Sequence, residues 1–183
     1  VTNTAGVSVN GAAGNDTLLY DGSPTVTPSG PGAGTLSAPG VTDIVYSSFE
    51  TVDASGTLNF TIRATTPANT ANNGVADTFN VAINAGLLEV NVNGTIVLQQ
   101  DISTIDQLVI DGSGDDDTLT VNYSNGNPVP VGGLIFNGGA QTTATGDALV
   151  IIGAGIGSGS NGTYTPSATT SGNGVVSLDG SSI

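Results

Sequence analysis

Gln107-Leu108-Val109-Ile110-Asp111-Gly112 leads through an acidic run to Asp117, and then comes Thr118-Leu119-Thr120-Val121-Asn122-Tyr123. The first run is short and apolar. The second alternates apolar and polar residues, the period of a half-buried strand. Glycine and aspartate between them suit a sharp corner, because Asn and Asp tolerate left-handed backbone and Gly favours it. An apolar residue followed by Asx-Gly recurs at Val9-Asn10-Gly11, Tyr20-Asp21-Gly22, Val92-Asn93-Gly94, Phe136-Asn137-Gly138 and Leu178-Asp179-Gly180. Each is read as a strand running into a corner.

Further strands are predicted on the same grounds at Thr78-Phe79-Asn80-Val81-Ala82-Ile83, Leu88-Glu89-Val90-Asn91-Val92, Leu134-Ile135-Phe136 and Ala148-Leu149-Val150-Ile151. No stretch sustains a helical period. The class is therefore all-β, and two architectures fit. Leu108, Leu119, Leu134 and Leu149 follow one another at intervals of 11, 15 and 15 residues. Such gaps suit the strands and corners of a β-solenoid of parallel β-helix type, and the Val/Ile/Leu-rich strands suit parallel stacking. The alternative is a β-sandwich whose Asx-Gly pairs are hairpin turns. The solenoid is the preferred reading. Residues 57–100 depart from it: the longer alternation and the polar face of Glu89, Asn91 and Asn93 predict an antiparallel hairpin insertion with one side in water. Residues 67–74 and 153–162 read as loops.

The two ends of the chain resemble each other. Gly14-Asn15-Asp16-Thr17-Leu18-Leu19, Thr27-Pro28-Ser29 and Gly34-Thr35-Leu36-Ser37 return in order as Gly146-Asp147-Ala148-Leu149-Val150, Thr165-Pro166-Ser167 and Gly174-Val175-Val176-Ser177. Residues 1–56 are accordingly a degenerate N-terminal β-repeat segment. Residues 57–183 are the main repeat, with its end (138–183) duplicating 1–44. The first copy continues as Val45-Tyr46-Ser47-Ser48-Phe49, whereas the second runs to Ile183. The expectation is that a neighbouring copy completes it.

Composition narrows the chemistry. The 183 residues include no His, Cys or Trp, and Arg63 is the sole basic side chain. Imidazole acid–base work, Ser-His-Asp triads, thiol nucleophiles and His/Cys zinc sites are excluded. So are Lys Schiff bases and phosphate-binding Walker lysines. A carboxylate-only glycosidase would have few aromatic platforms for a sugar, at 4% aromatic content, and no enzymatic activity is expected. A net charge of −14 repels nucleic acid and anionic membrane, and no apolar run approaches a membrane span.

The acidic clusters carry the remaining chemistry. Asp111-Gly112-Ser113-Gly114-Asp115-Asp116-Asp117-Thr118-Leu119 and Gly11-Ala12-Ala13-Gly14-Asn15-Asp16-Thr17-Leu18 resemble the Gly-rich nonapeptide of haemolysin-type, repeats-in-toxin proteins. Gly11, Gly14, Asp16 and Leu18 fall on that motif, Ala12 replaces a glycine, and the motif does not recur every nine residues. The resemblance implies calcium, which takes six to eight oxygens at roughly 2.3–2.6 Å. The candidate ligands are Asp111, Asp115, Asp116, Asp117, Asn15 and Asp16. The competing reading is a solvated turn whose side chains bond their own backbone. On a larger scale, the segment from Gly114 to Leu134 and its sequel Phe136-Asn137-Gly138-Gly139 and Gly146-Asp147-Ala148-Leu149 are similar to tandem repeats of very large secreted bacterial surface proteins. That resemblance implies an extracellular or cell-surface location and a structural role in a fibre, surface layer or stalk, with copies joined head to tail. The alternative function is a calcium-dependent adhesin binding a cell-surface glycan or a protein, with Tyr46, Phe49 and Tyr123 as its candidate aromatics.

Overall fold

The computed structural model describes residues 7–30, 32–49, 51–54, 56, 58–63, 75–112, 114–153, 162–166, 174–178 and 181–182. The chain is all-β. It begins with β1 (Val7–Asn10), β2 (Thr17–Tyr20), β3 (Thr25–Gly30), β4 (Ala33–Ser37), β5 (Ile44–Ser47) and β6 (Thr51–Ala54). There follow β7 (Leu58–Arg63), β8 (Thr78–Asn84), β9 (Leu87–Val92), β10 (Thr95–Gln100), β11 (Ile105–Asp111) and β12 (Thr118–Asn122). The last are β13 (Leu134–Asn137), β14 (Ala148–Ile152), β15 (Gly162–Pro166), β16 (Gly174–Leu178) and β17 (Ser181–Ser182). No helix among the described residues is long and apolar enough to cross a membrane.

Seven strands form one sheet in the order β1-β5-β4-β3-β7-β11-β13, and five form another, β10-β9-β8-β12-β14. Strands β2 and β6 make a two-stranded sheet, and β15-β16-β17 a three-stranded one. The chain steps repeatedly from the first sheet to a partner sheet: β1 to β2, β5 to β6, β7 to β8, β11 to β12 and β13 to β14. Successive steps lie side by side and parallel. Thus β7, β11 and β13 stack with Phe60 beside Leu108 beside Leu134, while β8, β12 and β14 stack with Phe79 beside Leu119 beside Leu149. The same relation joins β1 to β5 and β2 to β6.

Alternation explains the core. In β12 every second residue is buried, and β8 and β9 follow suit. Phe60, Leu108 and Ile110 of the seven-stranded sheet share one apolar cluster with Phe79, Val81, Leu119 and Val121 of the five-stranded one. Complete burial of Phe60 and Phe79 stabilises by about 1.5–3 kcal/mol each. The Gln100 amide closes the gap between β10 and β6. Its Nε2 donates to Val52 O at 2.8 Å and to Thr104 Oγ1 at 2.9 Å.

Strands β8, β9 and β10 form the antiparallel insertion expected within 57–100, and β7 instead joins the parallel stack. Glu89 Oε2 accepts from Asn84 Nδ2 and Gln99 Nε2 on its wet face. A second hairpin, β3-β4, intercalates between β5 and β7, which alternation alone did not indicate. In β3-β4, Pro28 pairs with Gly34; in β15-β16, Pro166 pairs with Gly174. Thr27-Pro28 and Thr165-Pro166 thus both lie in the first strand of a hairpin, with the proline opposite a glycine. Apart from Gly153 and Gly162, the loops expected at 67–74 and 153–162 lie outside the described residues, as does the Asp179-Gly180 corner.

Four of the described Asx-Gly pairs divide into two kinds, and Asp21-Gly22, with a Gly22 φ of 129°, belongs to neither. Asn93 and Gly94, with φ of 51° and 86°, form a left-handed two-residue hairpin turn. Ala85 and Gly86 form the same kind of turn, with φ of 50° and 86°, although Ala85 carries a side chain poorly suited to it. Ala85→Asn is expected to raise stability by up to about 1 kcal/mol, read by urea denaturation. Gly11, Gly112 and Gly138 do not have left-handed backbone. A Cβ on Gly112 or Gly138 would overlap the carboxylate of Asp117 or Asp147, and one on Gly11 would overlap Ser48 O first and then crowd Asp16. Glycine is needed at these corners for close approach, not for φ.

Candidate functional site

The aspartates form a ladder along the corners. Asp77, Asp117 and Asp147 immediately precede β8, β12 and β14, which brings them into consecutive layers of one parallel stack. The Asp77 N–H donates to Asp117 Oδ1 at 2.8 Å, and the Asp117 N–H donates to Asp147 Oδ1 at 2.9 Å. In return, the Thr118 N–H donates to Asp77 O and the Ala148 N–H to Asp117 O, both at 2.8 Å. Each aspartate thereby extends the sheet ladder by one residue, using main chain and side chain together. Asn93 closes the row at β8: its Nδ2 donates to Asp77 Oδ1 at 2.7 Å, and its Oδ1 accepts the Thr78 N–H at 2.9 Å.

Asp117 occupies the middle of the row and is completely buried. Its Oδ2 lies against Gly112 and has no hydrogen-bond partner among the described residues. Burial first, then the carboxylates of Asp77, Asp147 and Asp115, push its pKa up to about 6, against the opposing pull of the Asp77 N–H. Asp116 points the other way. Its Oδ1 accepts from the Thr143 and Thr142 N–H groups at 3.1 and 2.9 Å. Hydrogen bonds, from Thr143 foremost, hold its pKa below the usual carboxylate value.

The fold places Asn15 and Asp16 at a different corner from Asp111, Asp115, Asp116 and Asp117. Asp115 is buried with a left-handed φ of 92°, and its N–H donates to Ala140 O. Asp111 is half-buried at the end of β11, Asp16 is half-buried before β2, and Asn15 is exposed. No three His, Cys, Asp or Glu among the described residues are grouped so as to hold a metal ion. Asp116 already engages two N–H groups, and Asp117 is turned inward. Melting is expected to be the same in millimolar calcium and in chelator. A rise of several degrees with calcium would restore Asp111 and Asp115, Asp116 and Asp117 as ligands.

Asp77 was not among the residues singled out from the sequence, and Asp147 appeared only as part of the repeat. The signal that finds both is an aspartate followed by a small or β-branched residue and an inward-facing apolar one. It occurs as Asp16-Thr17-Leu18, Asp77-Thr78-Phe79, Asp117-Thr118-Leu119 and Asp147-Ala148-Leu149.

Of the aromatics considered for an adhesin, Tyr123 follows β12 and is half-buried. Tyr46 is buried and meets Phe49 edge-on, with ring centroids 6.4 Å apart. Burial raises the Tyr46 phenol pKa. The cavity they line with Phe60 and Leu98 has about 20 Å³, room for one water and not for a sugar ring. No protein-family model, curated protein or solved structure matches the chain.

Proposed function

We propose that this chain is a structural building block of an extracellular fibre, surface layer or stalk, a β-solenoid with a hairpin inserted in each face. One observation carries the reading: strand–corner–strand units stack in parallel with one repeated register, and the same Asx-Gly/Asp corner returns at Gly11/Asp16, Gly112/Asp117 and Gly138/Asp147. Units that contact only their neighbours are the construction of elongated repeat proteins. In this reading the likeness between 1–44 and 138–183 is a repeat of that construction, and the ladder aspartates stiffen it. The chemical inventory, without His, Cys or Lys, suits a scaffold.

Sedimentation and electron microscopy of the purified chain test the proposal. Elongated polymers are expected to grow with protein concentration. Because each copy carries −14, repulsion between copies opposes association, and polymers should lengthen as salt shortens the Debye length from about 10 Å at 0.1 M to about 3 Å at 1 M. A chain that stays monomeric across this range overturns the reading.

A further inference from the structure

The two ends of the parallel stack are complementary, and the complementarity is specific to the residue. Among the described residues β1 is the last strand at one end of the seven-stranded sheet and β13 at the other, while β14 ends the five-stranded sheet. Gly133 and Asn137 turn their carbonyls toward β11, accepting from the Leu108 and Gly112 N–H groups at 3.1 and 2.8 Å. By alternation, the backbone groups of Leu134, Phe136 and Gly138 face outward. At the opposite end the Gly11 N–H is spent on Ser47 O at 3.0 Å, so those of Ser8 and Asn10 face outward. Strands β1, β5, β7, β11 and β13 run in one direction.

Apolar residues are exposed at these two places, as they also are elsewhere on the surface, at Val131 and Val75 for example. Leu149 pairs with core Leu119 and shares its inward parity, yet it remains 36% exposed. Val150 is also exposed on β14, and Leu19 on β2 is 68% exposed. Unpaired edges bearing apolar residues invite strand addition.

We propose that the β13/β14 end of one copy receives the β1/β2 end of a second copy, extending both sheets in a fixed register. The proposal rests on the structural reading above and specifies its joint. The register of β11 on β13 places Asp111 beside Asn137, each followed by the corner glycine. Repeating that step places Asn137 beside Asn10 of the next copy, Ile135 beside Ser8 and Leu134 beside Val7. The step from β12 to β14 likewise places Leu149 beside Leu18 and Val150 beside Leu19, which sets the exposed pair side by side. Three corner bonds follow from those already present. The Gly138 N–H donates to Asn10 O, as Gly112 does to Asn137. The Asp147 N–H donates to Asp16 Oδ1, as Asp117 does to Asp147. The Thr17 N–H donates to Asp147 O, as Ala148 does to Asp117. The aspartate ladder thus runs through the joint. The contact is heterologous, so it builds rings or filaments rather than closed dimers.

The chain contains no cysteine, so single thiols can be placed cleanly. Ser8→Cys and Ile135→Cys put them on exposed positions of β1 and β13, adjacent across the joint at a separation a disulfide spans. Mixed and oxidised under polymerising conditions, the two variants should give the mixed dimer in about tenfold excess over either homodimer. A Thr165→Cys partner, on an exposed residue of β15, should give none above collision level. Polymers in the microscope without the Ser8–Ile135 cross-link would overturn this joint while leaving the structural reading standing. Equal cross-linking to Thr165→Cys would also overturn it. A chain that never associates removes both.

Discussion

Gly112→Ala is expected to destabilise the protein by about 3 kcal/mol or more, a large loss for a single methyl group. The added Cβ would collide with the Asp117 carboxylate and come within 3.0 Å of Gly138 O. Neither neighbour yields cheaply. Asp117 is fully buried, with its Oδ1 bound to the Asp77 N–H, and Gly138 belongs to the next corner. Moving the carboxylate breaks the ladder at its centre and strands a buried N–H, which alone costs about 1–3 kcal/mol. Gly30→Ala is the control: nothing lies within 4 Å of its Cβ position and its φ is not left-handed, so the change should stay within about 0.5 kcal/mol. Urea denaturation of both variants measures the contrast. A double-mutant cycle identifies the cause. If the collision with Asp117 is responsible, Gly112→Ala should cost less in an Asp117→Ala background, with a coupling of about 1–3 kcal/mol. Additive losses would place the strain elsewhere.

These corners also show what could be read from the sequence and what could not. The strands were legible, because alternation in segments such as Thr118-Leu119-Thr120-Val121 has one physical outcome when a single face is buried. The corners were legible as places, but the reason for their glycines was not. Asn93-Gly94 and Asp111-Gly112 look alike as dipeptides, yet the first is a left-handed turn and the second leaves room for a carboxylate five residues further on. That room exists only once β11 and β12 lie in different sheets and the chain folds back across the corner. The β3-β4 hairpin was hidden for a related reason. Its insertion between β5 and β7 depends on long-range pairing such as Val26 with Phe60, to which local periodicity is blind. Aspartate clustering at 115–117 drew attention to a metal, although Asp116 bonds Thr142 and Thr143 while Asp117 is turned inward. The arrangement that forms is built from aspartates 30 to 40 residues apart.

Wild-type stability is expected to fall as pH rises from about 4 to above 6, and Asp117→Asn should abolish that part of the slope. The sign follows from proton linkage. The folded-state pKa of Asp117, about 6, lies above the ordinary 3.8, so between these values the folded state holds a proton that the unfolded chain has released. Its contribution is most favourable below 3.8 and is lost as pH rises through about 6. Burial and the three neighbouring carboxylates are the cause, and they act only on the charged form. The corner lies beside the surface residue Asp116, and with allowance for solvent screening the effect is about 1–2 kcal/mol. Asp101 and Asp116 work in the opposite sense at lower pH. Ser103 holds the first below 3.8 and Thr143, then Thr142, the second, so their contributions are present above 3.8 and fade as pH falls through their folded values. Asparagine at 117 keeps an oxygen for the Asp77 N–H and carries no charge. The variant should therefore match or exceed wild type at pH 7.5 and gain little on acidification to pH 4.5, where wild type gains. Asp117→Ala separates charge from hydrogen bonding: it also removes the pH slope, but at a cost of about 1–3 kcal/mol for the unsatisfied Asp77 N–H. Urea midpoints of the three proteins at the two pH values decide the matter, and a slope unchanged in Asp117→Asn would mean that the titrating group in this window is not Asp117.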